Sequence, residues 1–207
     1  AFYTNQQSAL AIHQAQAGNE SLQRIALKNN FHYANLSYRQ KLNNKWLLNS
    51  GFAYSKNHDH INLDSAVVKR QEHLAHAKIK LHYFAHNRLS IQAGAEQFWQ
   101  SFTESLAANS RGINIALSAL HTEATYHLNG RLALRAGLRA EASPQGQVLK
   151  PRISAAYQIK PKHKVSLAYG GFAQQQAAPS LVVANNLAMA ESEHWVAHYQ
   201  YSSKKRT

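Results

Sequence analysis

Cysteine is absent from the 207 residues, which excludes a disulfide framework, a thiolate metal site and a cysteine nucleophile. Long apolar runs are missing too. No stretch approaches the ~18 consecutive apolar residues that a membrane-crossing helix requires, and the mean hydropathy is −0.47. A transmembrane barrel shares such a value with soluble domains, because only every second residue of each strand meets lipid. Acidic residues are scarce, with 10 Asp and Glu against 23 Lys and Arg and a net charge of +13. No nucleophile elbow, P-loop, dinucleotide fingerprint or HExxH occurs. No enzyme activity and no cofactor are therefore assigned.

What is present is a period of two. From Arg131 to Glu141, Leu132, Leu134, Ala136, Leu138 and Ala140 fall on one face, while Arg131, Arg135, Gly137, Arg139 and Glu141 fall on the other, the pattern of a strand with one apolar side. It recurs in Ala75–Tyr83 against His76, Lys78, Lys80 and His82, and in Leu89–Ala95 against Arg88, Ser90, Gln92, Gly94 and Glu96. Ile153–Ile159 and Val165–Tyr169 repeat it further along.

Short polar turns separate paired segments at 42–45, 85–88, 128–131 and 160–163, and Asn44, Asn87 and Gly130 are spaced by 43 residues. Hairpins of similar size are laid side by side. Longer polar stretches at 56–70, 104–112, 143–149 and 174–190 read as loops at the opposite ends. The strands read between these breaks are 22–30, 31–42, 45–58, 71–84, 88–103, 113–128, 131–142, 150–159, 163–174 and 191–203, the first two joining if the count is nine rather than ten. Many exceed the ~5 to 6 residues typical of globular proteins and match a tilted membrane strand of ~9 to 11 residues with overhang.

Aromatics mark both ends of these strands. Tyr38, Trp46, Tyr83, Tyr126 and Tyr157 lie near the tight turns, and Tyr54, Trp99, Phe102, Tyr169, Trp195 and Tyr199 toward the looped ends. Two such levels enclosing Ala, Leu, Ile and Val form the girdles of a membrane band. The fold expected is all-β, an antiparallel up-and-down transmembrane β-barrel, present as a partial barrel of about nine or ten strands. The alternative is a soluble β-barrel or β-sandwich binding a small apolar ligand, in which Leu134, Leu138, Ile153 and Tyr157 would pack in a dry interior.

Pro151-Arg152-Ile153-Ser154, Tyr157, the run His163–Gly170, Gln174 and Pro179, followed by Asn185-Asn186-Leu187, Glu193-His194-Trp195 and Tyr199, resemble barrel strands of TonB-dependent outer-membrane receptors, especially those of Bacteroidetes-type bacteria. The resemblance implies a barrel of ~22 strands with a plug in its lumen. It further implies the bacterial outer membrane, import of a scarce nutrient (an iron complex, cofactor or glycan) and the TonB complex, plug domain, lipid and small-molecule or glycan substrate as partners. Residues 1–207 would be part of the barrel alone, without a plug or a complete C-terminus. Ala1 begins without the charged and then apolar run of a signal peptide, and Ser202-Ser203-Lys204-Lys205-Arg206-Thr207 falls inside what reads as a strand, so both ends are expected to be cuts.

A charge at the bilayer midplane costs ~2 to 4 kcal/mol, so Lys78, Lys80, Arg131, Arg135, Arg139, Arg152 and Lys164 are expected to face the lumen. There they pair with acidic residues of the plug or hydrate the lumen, or draw anionic substrates inward. Spread in this way, opposite the apolar faces, the cations do not form a nucleic-acid surface, and nucleic acid is not an expected partner. Loop contacts to a ligand are expected from His58, Asp59, His60, His73 and His76, and from Gln174 and Gln175. The histidine spacing matches no standard zinc pattern, and no metal is assigned.

Overall fold

The computed structural model describes residues 1–16, 19–63, 66–184 and 186–202. Ten strands follow one another: β1 (Phe2–Gln16), β2 (Asn19–Lys41), β3 (Trp46–Leu63), β4 (Ala66–His86), β5 (Leu89–Leu106), β6 (Asn109–His127), β7 (Leu132–Ser143), β8 (Gly146–Lys160), β9 (His163–Gln174) and β10 (Ala190–Tyr201), with the short helix α1 (Ala178–Val183) before the last. They form a single sheet in sequence order, every neighbour antiparallel. This is an up-and-down sheet that does not close on itself, the partial barrel expected from the alternation.

Turn chemistry sets the register. Asn43 Oδ1 accepts from the backbone N–H groups of Lys45 and Trp46, at 2.8 and 3.0 Å. Asn129 Oδ1 does the same for Arg131 and Leu132, both at 2.8 Å. A short side-chain acceptor that closes its own turn fixes where the chain reverses. The residue pairs of the four tight hairpins accordingly centre on 44, 87, 130 and 161.

One row of register partners runs Trp46–Tyr83–Ile91–Ala124–Ala136–Ile153–Tyr169–Trp195. It crosses the four hairpins two, four, six and eight residues from their centres. With about 3.3 Å per residue along a strand and about 4.8 Å between strands, a two-residue climb per two strands inclines the strands by about 35°. Closed membrane barrels have this tilt.

Residues opposite one another in such rows share a face. The outer face carries Leu134, Leu138, Ile153 and Tyr157, which are 42%, 49%, 59% and 42% exposed. They do not meet in a dry interior, and the soluble barrel or sandwich is thereby overturned. On the same face Tyr83, Tyr126 and Tyr157 each lie four residues from a tight-hairpin centre and Trp99 twelve. Eight residues at that tilt rise roughly 22 Å, close to the ~25 Å apolar band of outer-membrane barrels.

Four expectations need correction. Phe102 is on the inner face, opposite Ile113, and Tyr199 pairs with Val165 near the tight turn, so neither belongs to the upper girdle. Segments 22–30 and 31–42 join as one strand, β2, as the count of nine allowed, but residues 2–16, which were not read as a strand, form β1 along its free side and bring the count to ten. The sheet edges are therefore β1 and β10. The stretches 56–70, 104–112 and 143–149 are largely strand, the hairpins continuing past the band. Beyond the bilayer both faces meet water, so the apolar alternation that betrays a strand disappears while the backbone pairing continues. Of the stretch 56–70, Asp64 and Ser65 lie outside the described residues.

Candidate functional site

The inner face gathers the described acids of β3–β7. Asp59, Glu72, Glu96, Glu104, Glu123 and Glu141 all lie on it, in rows with the inner cations. At its centre Arg139 on β7 reaches two carboxylates: its Nε donates to Glu141 Oε1 at 2.5 Å and its Nη2 to Glu96 Oε2 at 3.4 Å. His76 Nε2 and His121 Nδ1 flank Glu96 at 3.8 and 3.9 Å. His76 stacks on Phe98 with ring centroids 3.8 Å apart, and His121 lies across Gly94, where a Cβ would come within 2.5 Å of the imidazole Cε1. The glycine is needed for close approach, since any side chain there would displace the ring.

Further ion pairs line the wall, and Lys150 on β8 pairs with Glu191 of β10. Arg135 Nε is 3.4 Å from Glu123 Oε1. Toward the loops, Glu104 accepts from Arg70 Nε at 2.6 Å and from Arg111 Nη2 at 2.5 Å. These two bonds, Arg111's first and then Arg70's, hold the Glu104 carboxyl below the usual carboxylate range.

Lys78, Lys80, Arg139, Arg152 and Lys164 occupy inner positions with Arg135, while Arg131 sits exposed in the β6–β7 hairpin tip rather than in a strand. Arg152 places its guanidinium 4.7 Å from the Phe172 ring. Lys78, Lys80 and Lys164 have no acidic partner among the described residues. Arg39 and Arg152 on the same face also lack one among the described residues.

The histidine group does not converge. Register places His58, His60 and His73 on the outer face and Asp59 and His76 on the inner one. Asp59 is instead held by Asn29 and Asn57, whose Nδ2 groups donate at 2.6 and 3.3 Å. Among the described residues no three His, Cys, Asp or Glu side chains are grouped to hold a metal.

The connection from β9 to β10 folds inward. Ala178 and Leu181 of α1 are buried against Phe102 and Ile115, with Ile113, Val182 and Leu187 around them, and Pro179 occupies the helix's first turn, where its missing N–H costs nothing. Gln174 ends β9, and Gln175 Nε2 donates to Gln145 Oε1 at the β7–β8 tip, at 2.8 Å. This strap crosses the inner wall on the looped side. Sequence marked 174–190 as a ligand-contacting loop but not its helix or inward packing, and it marked Arg139 as lumen-facing but not its partners Glu96 and Glu141. The available signal was Glu96 and Glu141 falling on the same alternating face as Lys78 and Arg139.

A tilted up-and-down sheet with an apolar outer band, aromatic levels and a charged interior defines the wall of a bacterial outer-membrane β-barrel. The chain belongs to the TonB-dependent receptor-like β-barrel family, whose model matches residues 2–194. It is similar in fold to the ferric citrate transporter FecA in its unliganded form (TM-score 0.68, 12% identity, covering 86% of this chain and 33% of that one). It is also similar to the ferric yersiniabactin uptake receptor FyuA from Yersinia pestis (0.61, 12%, 89% and 35%) and to the alcaligin outer-membrane receptor FauA from Bordetella pertussis (0.60, 12%, 84% and 33%). The chain spans about a third of the length of each. Comparison with curated proteins by sequence returned no match. The family consists of outer-membrane receptors and transporters rather than enzymes.

Proposed function

We propose that residues 1–207 form part of the barrel wall of a receptor that imports a scarce nutrient, an iron chelate in the first instance, with energy delivered through TonB. Further strands and a plug domain of the parent protein complete it. The observation that carries the reading is the inner wall: cations without acidic partners among the described residues, Lys78, Lys80 and Lys164, stand beside compensated pairs, and α1 with Leu187 packs over the same face. A lumen merely kept wet needs no excess of one sign, whereas an excess of positive charge concentrates anions such as carboxylate- or phenolate-bearing ferric chelates. The names of the three similar proteins, two of which specify ferric complexes, support the same substrate class. In this reading Gln174 and Gln175 on the strap contact the ligand from above. Asp59 and His76 contribute from the wall, while His58, His60 and His73 do not.

The test is uptake of radiolabelled ferric citrate and ferric siderophores by cells carrying the full-length protein as their sole such receptor, with cobalamin and oligosaccharides as competing classes. Accumulation of a ferric chelate that stops on adding a protonophore is the expected result. Uptake of oligosaccharide or cobalamin alone overturns the iron reading, and uptake indifferent to the protonophore overturns energised import.

A further inference from the structure

The two ends of the sheet differ in charge. Each tight hairpin carries exposed cations within three residues of its centre: Lys41 and Lys45 at the first, Arg88 at the second, Arg131 at the third, and Lys160, Lys162 and Lys164 at the fourth. His86 and His127 stand exposed beside them. No Asp or Glu lies within six residues of any of the four centres. Toward the looped side, by contrast, Asp59, Glu72 and Glu104 share their strands with Lys56, Lys69 and Arg70. None of the turn cations has an acidic partner within ion-pair distance among the described residues.

The turns hold these charges in place. Asn43 and Asn129 close the first and third, and His86 Nδ1 accepts from the backbone N–H of Arg88 at 3.1 Å in the second. Tyr83, Tyr126 and Tyr157 of the lower girdle lie four residues from the centres, a height of about 11 Å at about 2.7 Å per residue. A headgroup layer takes up roughly 5 to 7 Å of it, so Lys45, Arg88, Arg131 and Lys162 emerge into the water beyond. In outer-membrane barrels that water is the periplasm, which the short turns face. Neighbouring tips are separated by two strands and a two-residue climb, roughly 12 Å. A rim kept only for solubility would carry both signs. A folded protein partner would want a continuous apolar anchor, whereas the exposed Leu42 and Leu128 stand one to a turn. Spaced charges of one sign fit an extended polyanion that meets several of them at once.

We propose that the rim of tight turns docks the peptidoglycan of the cell wall, with Lys45, Arg88, Arg131 and Lys162 pairing with the carboxylates of its stem peptides. The mesh lies in the compartment into which these turns project, and its peptides carry free carboxylates at intervals along an extended glycan. Each exposed pair contributes little alone, and several made together hold the barrel to the wall. The attachment is screened by salt. The proposal rests on the outer-membrane placement alone and stands whatever substrate the lumen carries.

The test is co-sedimentation of the detergent-purified full-length protein with protease-treated, lipid-free peptidoglycan sacculi. The triple variant Arg88→Gln, Arg131→Gln, Lys162→Gln should weaken binding by roughly 10- to 100-fold at low salt. The charge-matched looped-side triple Lys28→Gln, Lys56→Gln, Lys69→Gln should leave it within about twofold. Equal loss in both triples, or none in the turn triple, overturns the proposal. Binding that appears only with sacculi not treated with protease also overturns it, in favour of an acidic protein held on the wall. Should the turn triple fail to fold, the unaltered protein decides: sacculi whose carboxylates have been amidated must bind it less well by the same order, and equal binding overturns the site.

Discussion

His121 lies flat over Gly94, and a single added methyl group at that glycine would stand 2.5 Å from the imidazole Cε1 and 2.8 Å from the carbonyl oxygen of Ile79. Side chain and strand backbone are thus packed as tightly here as in a closed interior, although the surface is the wall of a lumen.

Gly94→Ala should therefore destabilise the folded barrel by about 1 to 3 kcal/mol, the usual cost of overpacking. Adding His121→Ala should recover only part of that loss, because the Ile79 carbonyl remains in the way. Urea unfolding of the full-length protein in detergent, followed by heat-modifiable gel mobility, measures both. Full recovery in the double variant would place the clash in the imidazole alone.

Arg139 joins Glu96 to Glu141, and Glu141 is only 9% exposed. Arg139→Met leaves two carboxylates without their counter-charge and should cost about 2 kcal/mol or more. The triple change Arg139→Met, Glu96→Gln, Glu141→Gln should restore most of it. The same unfolding experiment reads the difference.

Glu104 bonds Arg111 and Arg70 across three strands. Its folded pKa lies below the unfolded value, so its contribution is complete above about pH 4.3 and is lost as pH falls through the folded value. Acidification below about pH 4 should loosen the β5–β6 hairpin tip, read as broadening of the distance between spin labels at Ser105 and Ser110. Glu104→Gln should show the loosened distribution at neutral pH and no further acid response. Because Arg70 and Arg111 are about half exposed, added salt should weaken the effect in the native protein.

Ile153 lies mid-band on the outer face and Ser154 beside it on the inner. Ile153→Arg should lower the stability of the barrel in lipid vesicles by about 2 to 4 kcal/mol, and Ser154→Arg by much less. Equal penalties would mean that the two faces do not meet different media.

Residues 1–207 expressed alone carry two sheet edges, β1 paired only with β2 and β10 only with β9 among the described residues. Open edges recruit other strands, so this piece should run as an oligomer in mild detergent by light scattering. A monodisperse monomer is the contrary result.

The parts readable from sequence were those where one face meets oil. Leu132–Ala140, Ile153–Ile159 and Val165–Tyr169 alternate cleanly, and β7, β8 and β9 follow them. The first strand was not readable, because its inner face carries Phe2, Leu10 and Ile12 beside Thr4, Gln6 and Ser8, while Asn5 and Gln7 lie outside. Neither face is consistently apolar. The hairpin extensions around His58–His60 fail for a related reason, since alternation needs two solvents. The strap was legible only as a loop: Ala178 and Leu181 acquire their partners Phe102 and Ile115 from strands some 65 to 80 residues earlier, a pairing no local pattern announces. The Glu96 cluster was half legible, its members visible as polar-face residues and their meeting set by a register that only the hairpin centres reveal.

The stepped register has one more effect. Arg39, Asn49, Lys80, Gly94, His121, Arg139 and Lys150 occupy one row across seven strands, yet each hairpin lifts that row by two residues. Its four permanent cations therefore ascend like treads of a spiral stair, Arg39 lowest and Lys150 nearest the mouth. Arg139 and Lys150 are already held by carboxylates, Glu96 and Glu141 for the one and Glu191 for the other, so among the described residues the charge left free on the stair lies on its lower treads, Arg39 and Lys80.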